Sequence, residues 1–553
     1  MSLKIRFIVA ALAATMLATS AFAARRTKGA VNEPAGCITH LTFDKSPVDF
    51  DLVDRMQSSK SIARAADTYT VSPGLKGNAL DLTDMVANRI PFVLDSASTP
   101  DYDKSFAFSI WVQTKPGARQ GTPIMTNKKY YRPRLEVHRE YRNICDEMEF
   151  PDQSKTPGLM LGTTDLGGWY LHLCDTTTWY AYTPTVERQR INDGRWHNIT
   201  ASVDFDRGEM WIYFDGKNVA VYNMPDLKSA RGTHPTFVGG SDDFTELSHN
   251  YSRGERNAFN GRIDEVKFWN RPVTSEEVAA EYAEYFPDAD EKPESDLPLD
   301  RLRVQAWNIW HGGGRFGEHV GLARVAEVLK SADADLIGIV EAYGSGPVLA
   351  DSLGYHFYFI SDNLGILSRY PIESTIQLYR PQRSGGVIVD LPGDKKVAFF
   401  DIWLDWHWNT DSIRSVDIRG IRPVLSQYAA NADKVPVIAV GDYNSGSHLD
   451  KFGYRVYGAK RVDNPAISWP SMVMVDDLGF HDSFRQLYPD SELYPGSTWT
   501  PLYNGMRNIV PNRVDFIYYK GGDLKPYFTE TFAHHGVQWP SDHASVVTDF
   551  FLR

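Results

Sequence analysis

Apolar and polar positions along this chain follow two rhythms. From about residue 36 to 285, short apolar runs alternate every second residue and are cut by Gly, Asp, Asn and Pro at hairpin spacing. The clearest case is residues 196–203, a turn at Asp206-Arg207-Gly208, a second run at 210–214, and Asp215-Gly216 after it. Successive strand side chains point to opposite faces, so such runs without helices between them predict a β-sandwich. A short helix over 275–285 ends this half.

From residue 302 onward the pattern alternates strand with helix. Residues 302–307 read as a strand, Leu322, Val325, Val328 and Leu329 share one helical face, and residues 336–340 form a buried apolar run ending at Glu341. Residues 435–440 form another such run, followed by Gly441-Asp442-Tyr443-Asn444. Between the halves, residues 286–299 hold Pro287, Pro293 and Pro298 among acidic residues with almost nothing apolar, which reads as an exposed linker. The expected organisation is therefore a β domain over 36–285, a linker over 286–299 and an α/β domain over 300–553.

At 553 residues the chain is too long for one core, and 42% apolar with 13% aromatic content supplies packed interiors. The formal net charge of -12 leaves no general basic footprint for duplex nucleic acid, so a nucleic-acid substrate is allowed by a local groove but not favoured. Residues 1–23 carry Lys4 and Arg6, an apolar stretch and Ala21-Phe22-Ala23, the form of a secretory signal peptide. No later segment is long and apolar enough to span a membrane, so a secreted or periplasmic protein is expected. Of the three cysteines, Cys145 and Cys174 are the pair expected to bridge, with three buried thiols as the alternative.

The β half carries Asp193-Gly194-Arg195-Trp196-His197, the hairpin ending Phe214-Asp215-Gly216-Lys217, and the run from Phe259 to Trp269. In that order these motifs resemble a laminin-G-like, concanavalin-type jelly roll. The resemblance implies a glycan or surface ligand and a structural Ca²⁺, for which Asp44, Asp264 and Asp242-Asp243 offer oxygens; solvated turn carboxylates are the competing reading. Tyr130, Tyr131, Trp169 and Trp179 are either a sugar-stacking face or core.

In the α/β half, polar residues stand at the exits of expected strands: Asn308, Glu341, Asp442, Asn444, Asp515 in Arg513-Val514-Asp515-Phe516-Ile517, and Asp542-His543 before the last strand. Taken alone, Gly441-Asp442-Tyr443-Asn444 is ordinary turn chemistry. In this order, with residues 365–372, the set resembles the endonuclease/exonuclease/phosphatase superfamily, whose deoxyribonuclease-I-like fold is a four-layer α/β sandwich of two packed sheets flanked by helices. The resemblance implies a Mg²⁺ (or Mn²⁺) site at Glu341, Asn308 and Asp542, a hard cation wanting oxygen ligands. It also implies that Asp442 orients or deprotonates the attacking water, Asn444 positions phosphate oxygens, His543 stabilises charge on the phosphoryl group, and Asp515 holds His543.

One departure stands out. The family places a histidine near the end of a central strand, and residues 397–405 put Trp403 in that slot. His407 lies four residues on and supplies the imidazole if the loop folds back; otherwise the site works without it, at a cost of about 10²- to 10⁴-fold, or is degenerate. His311 and His448 read as cleft-edge residues for phosphate or a second metal, or as structural loop histidines. The expected function is a secreted, metal-dependent phosphoesterase or phosphodiesterase acting on a phosphate ester. The alternatives are an adhesion protein with a degenerate hydrolase domain, and an extracellular nuclease or sphingomyelinase-type phospholipase.

Overall fold

The structure, a computed structural model, describes residues 35–44, 70–83, 92–94, 96–116, 122–128, 156–164, 166–244, 256–287, 300–407, 411–450, 469–499, 512–522 and 524–552. The signal-peptide segment, Tyr130, Tyr131, Cys145 and residues 288–299 of the expected linker lie outside the described residues. Cys174 is buried, with Sγ 2.8 Å from the Asp175 carbonyl.

The first half is a two-sheet sandwich. Its strands include β1 (Phe106–Gln113), β2 (Trp169–Cys174), β3 (Trp179–Tyr182), β4 (Trp196–Asp204), β5 (Glu209–Phe214), β6 (Lys217–Asn223) and β7 (Arg262–Trp269), followed by α1 (Ser275–Tyr285). One sheet runs β7-β1-β4-β5-β6; the other carries β2 and β3 on one edge. Trp169 is fully buried and stacks on Phe214, whereas Trp179 is 46% exposed, so alternation along the strands divides the two.

The hairpin motif has a clear physical basis. His197 bonds Asp215 through Nδ1 at 2.8 Å and Asp193 through Nε2 at 3.0 Å, and Asp215 also accepts the Asn198 amide at 2.9 Å. One imidazole thus pins the turn before β4 to the end of β5. Burial works against its charge, but the two carboxylates prevail and raise its pKa.

The second half has the expected four layers. Its first sheet holds β8 (Arg301–Asn308), β9 (Leu336–Val340), β10 (His356–Ser361) and β11 (Leu364–Ser368), covered by α2 (Glu318–Ala332) and α3 (Gly346–Leu353). Its second sheet holds β12 (Ile372–Gln377), β13 (Ser384–Leu391), β14 (Lys395–Trp403), β15 (Val437–Asp442) and β16 (Asp515–Lys520), with α4 (Asp411–Ala430) outside it. The last strands, β17 (Leu524–Phe532) and β18 (Ser545–Leu552), complete the first sheet beside β8.

The junction of the halves departs from the picture of two modules on a linker. Strand β6 of the jelly roll pairs in parallel with β10, matching Ala220, Val221 and Tyr222 with Phe357, Tyr358 and Phe359, so one sheet runs through both halves. Tyr222 stacks on Phe359 at 4.5 Å, and Asn223 Nδ2 donates to the Ile360 carbonyl at 3.2 Å. Asp351 on α3 accepts from Gln189 Nε2 at 2.8 Å and from the Thr185 hydroxyl. Pairing between segments this distant in sequence leaves no local pattern to read.

Two outcomes follow. Because the core is continuous, both halves should unfold in one calorimetric transition, and Asp351→Ala, which removes the acceptor of the Thr185 hydroxyl and one of two partners of Gln189 Nε2, should lower its stability by about 1–3 kcal/mol; two separate transitions, only one of them moved, would contradict the shared core. A raised folded pKa for His197 means its stabilisation is complete below about pH 6.5 and lost as pH rises through the folded value. His197→Gln should therefore cost about 1–2 kcal/mol near pH 5.5 and much less at alkaline pH, measured by urea unfolding at each pH.

Candidate active site

Alternation places the site. On β8 the inward residues are Val304, Ala306 and Asn308; on β15 they are Ile438, Val440 and Asp442; on β16, Tyr519, Ile517 and Asp515. Their apolar members pack together between the two sheets, and their polar members come out at one shared end. Asp442 and Asp515 are directly paired neighbours on adjacent strands.

Asn308 is fully buried there, and its Nδ2 donates to Glu341 Oε1 and Asp442 Oδ2, both at 3.1 Å. Its Oδ1 accepts the Trp310 amide at 3.0 Å. Asp442 also accepts the Asn444 amide at 2.8 Å and Asn444 Nδ2 at 3.0 Å. Trp310, His311, Glu341, Tyr343 and Asn444 all have positive φ, a concentration of strained backbone at one place.

His543 closes the opposite side. Its Nδ1 lies 2.8 Å from Asp515 Oδ2, and its Nε2 lies 4.0 Å from Asp542 Oδ1. Burial opposes protonation, but the charges of Asp515, Asp542 and Asp442 lift the imidazole to about 10. Burial, helped by the charge of Glu341 and countered by His543, pushes the Asp542 carboxyl up. Among the described residues, Asp442, Asp515 and His543 form the one group of metal-type ligand atoms lying within 4.8 Å of one another. A protonated imidazole bonded to Asp515 is a poor metal ligand, so we read that trio as an ion-paired histidine beside a carboxylate.

The supporting residues were not visible as such in the sequence. The indoles of Trp307 and Trp539 both donate to the His543 carbonyl, at 3.3 and 2.7 Å. The Ser541 hydroxyl donates to the Asn308 carbonyl and accepts the His543 amide. Thr498 Oγ1 accepts the amides of Val514 and Asp515. Behind them Arg513 is buried between Asp450 and Asp482, and Arg485 also bonds Asp450. No local signal marked this group, because its partners lie 31 to 63 residues apart in sequence. Asp401, fully buried on β14, meets no side-chain donor among the described residues; burial and the nearby Asp442 charge push its carboxyl well up.

Trp403 lies in register with Asp442, partly buried against the inter-sheet core, with the Arg383 guanidinium 4.9 Å above its ring. His407 is placed differently from the buried set: its side chain is 56% exposed, its Nδ1 is 2.7 Å from Asp405 and its ring stacks on Trp406. His311 donates its amide to Glu341 at 3.3 Å and stacks on Tyr343; His448 lies 3.8 Å from Asp476. In the jelly roll, Asp44 accepts the Asn78 amide, and Asp264 accepts the amides of Leu75, Lys76 and Glu265. Both thus hold the same turn. The side chains of Asp242 and Asp243 lie outside the described residues.

Two packed sheets thus bring their polar strand ends together around a histidine bonded to a carboxylate. Residues 306–543 match the model described as endonuclease/exonuclease/phosphatase family, and residues 92–279 match that of the concanavalin A-like lectin/glucanases superfamily. The chain therefore carries an endonuclease/exonuclease/phosphatase domain preceded by a concanavalin-like domain. An uncharacterized protein of Caenorhabditis elegans, F14F9.5, is 24% identical over 294 residues, covering 45% of this chain and 91% of that protein. Among solved structures, similarity extends to an endonuclease/exonuclease/phosphatase from Beutenbergia cavernae DSM 12333 (21% identity, 46% of this chain, 72% of that chain, TM-score 0.35). It extends also to the human Nocturnin catalytic domain with bound sulfate (16%, 46%, 97%, TM-score 0.36) and to truncated Caenorhabditis elegans TDP2 (19%, 46%, 100%, TM-score 0.35).

Gly441 precedes Asp442 with φ 132°, and a Cβ there would sit 2.0 Å from the Ile402 carbonyl oxygen. Gly441→Ala should therefore push β15 away from β14, cost about 3 kcal/mol or more by denaturant unfolding, and weaken the Asp442 alignment. A variant as stable as the parent would show that the close approach is not needed.

Proposed function

We propose that this protein is an exported, divalent-metal-dependent phosphoesterase or phosphodiesterase, its jelly roll serving a glycan or surface ligand. The observation that carries the reading is the facing of His543, bonded to Asp515 at 2.8 Å, across from Glu341, Asn308 and Asp442. A coincidental turn at Gly441 does not account for partners drawn from four separate strand ends.

The residues fit a hard cation. Glu341 and Asp542 offer carboxylate oxygens, and Asp542 Oδ1 is buried without a hydrogen bond. Asn308 turns its nitrogen toward Glu341 and Asp442 and uses its oxygen for Trp310, so ligation through it requires the amide to flip. When bound, Mg²⁺ or Mn²⁺ supplies charge neutralisation at the phosphate oxygens. Asp442, fixed by Asn308 and Asn444, orients and deprotonates the attacking water. Asn444 positions a phosphate oxygen, and the His543 imidazolium donates to the oxygens on which charge grows, while Asp515 keeps it oriented. His407, bonded to Asp405 with its ring exposed, serves as the further imidazole when its loop folds over the Trp403 end of the site.

The acidic chain makes nucleic acid a disfavoured substrate, and a small phosphodiester or phosphorylated glycan is preferred. Trp403 favours a second reading, a binding protein that recognises phosphorylated ligands without turning them over. Metal-dependent hydrolysis of bis(p-nitrophenyl) phosphate separates the two. Wild type should turn it over with Mg²⁺ or Mn²⁺ and stop with chelator, and Asp442→Ala and His543→Ala should each lower kcat by about 10²- to 10⁴-fold. Full activity in those variants would remove the assigned site, and calorimetric binding of phosphate ligands without turnover at any metal concentration would establish the second reading.

A further inference from the structure

Where the jelly roll meets the second half there is a cavity of about 250 Å³. Trp179, Tyr180, Asn223 and Asp226 line it from the jelly roll, and Asp362 and Gln382 from the second half. None of its lining side chains is basic, and two are carboxylates, so an anion is repelled rather than held. Trp179 presents an exposed ring, while Tyr180 is engaged edge-to-face with Phe359 at 6.0 Å. One open aromatic face makes a stacking platform, whereas a quaternary ammonium is held by a cage of several. The remaining lining mixes apolar side chains, such as Pro225 and Ile360, with neutral donors and acceptors, including Asn223 Oδ1, which is buried without a hydrogen bond. A ring bearing hydroxyls matches this set: its apolar face covers the indole, and adjacent hydroxyls donate to carboxylate and amide oxygens.

The cavity shares a wall with the candidate active site. The turn between β10 and β11 supplies Asp362 to the cavity, and its carbonyls at Asp362 and Asn363 accept the amides of Gly344 and Ala342 at 3.0 and 3.1 Å. That segment directly follows Glu341. We propose that the cavity binds a neutral sugar ring, and that this ring is part of the phosphorylated substrate; the second clause rests on the function proposed above.

The test uses the full chain. Glucose, galactose, mannose, N-acetylglucosamine and choline chloride are titrated separately, read by tryptophan fluorescence and calorimetry. At least one sugar should saturate, Trp179→Ala and Asp226→Asn should each weaken it about tenfold or more, and hydrolysis of bis(p-nitrophenyl) phosphate, which has no sugar, should stay within about twofold. On a hexose p-nitrophenyl phosphodiester, Trp179→Ala should lower kcat/KM about tenfold. The inference is overturned if no sugar saturates, if choline binds instead, or if the variants bind like the parent. Sugar binding without any phosphodiester turnover would support the cavity and sink the proposed function; turnover without sugar binding would do the reverse.

Discussion

The Asn308 carboxamide joins the two sheets of the second half at the end where their charges meet. It sits on β8 in one sheet and donates to Asp442 on β15 in the other, and to Glu341 at the exit of β9. Without that donor, two carboxylates would face one another in a buried space, where their repulsion is far stronger than in water. Glu341, Asp442, Asp515 and Asp542 all converge here, and His543 is bonded to Asp515 among them. Burial is the first cause of the upward push on the Asp542 carboxyl, the charge of His543 opposes it, and that of Glu341 adds to it.

The same cluster explains how much could be read in advance. Asn308, Glu341 and Asp442 each close an apolar run of strand length and were legible from local pattern, whereas Asp515 opens β16 and His543 precedes β18, so their place in the set came from the order of motifs in the resemblance. What holds them was not legible. Thr498, Ser541 and the two indoles act through single hydrogen bonds from segments far apart in sequence, and hydroxyls and indoles are too common to mark such a role. The buried group of Arg485, Arg513, Asp450 and Asp482 reads in sequence as ordinary surface charge. His407 marks another limit: spacing alone did not say that Asp405 and Trp406 would hold its ring at the surface.

The jelly roll was legible as a fold and misleading as an attachment. Its strands, its closing helix and the hairpin held by His197 follow from alternation and turn residues. The acidic, proline-rich segment after it read as an exposed linker, and nothing in it foreshadowed that β6 adds to the edge of the second half's first sheet through β10. Covering an edge strand in this way removes unpaired backbone groups that would otherwise recruit another chain. Tyr222 and Phe359 then knit the two interiors into one.

This junction changes what a carbohydrate-type domain does for its neighbour. A module on a linker raises the local concentration of substrate, and its effect depends on linker length. A module sharing a sheet has a fixed orientation, so its surface groups lie at constant distances from the strand ends of the other half. The turn between β10 and β11 belongs to both: its backbone braces the segment after Glu341, and its side chains face the jelly roll. The two sides of that turn are therefore joined by two backbone hydrogen bonds, so the seam between the halves and the segment after Glu341 share one brace.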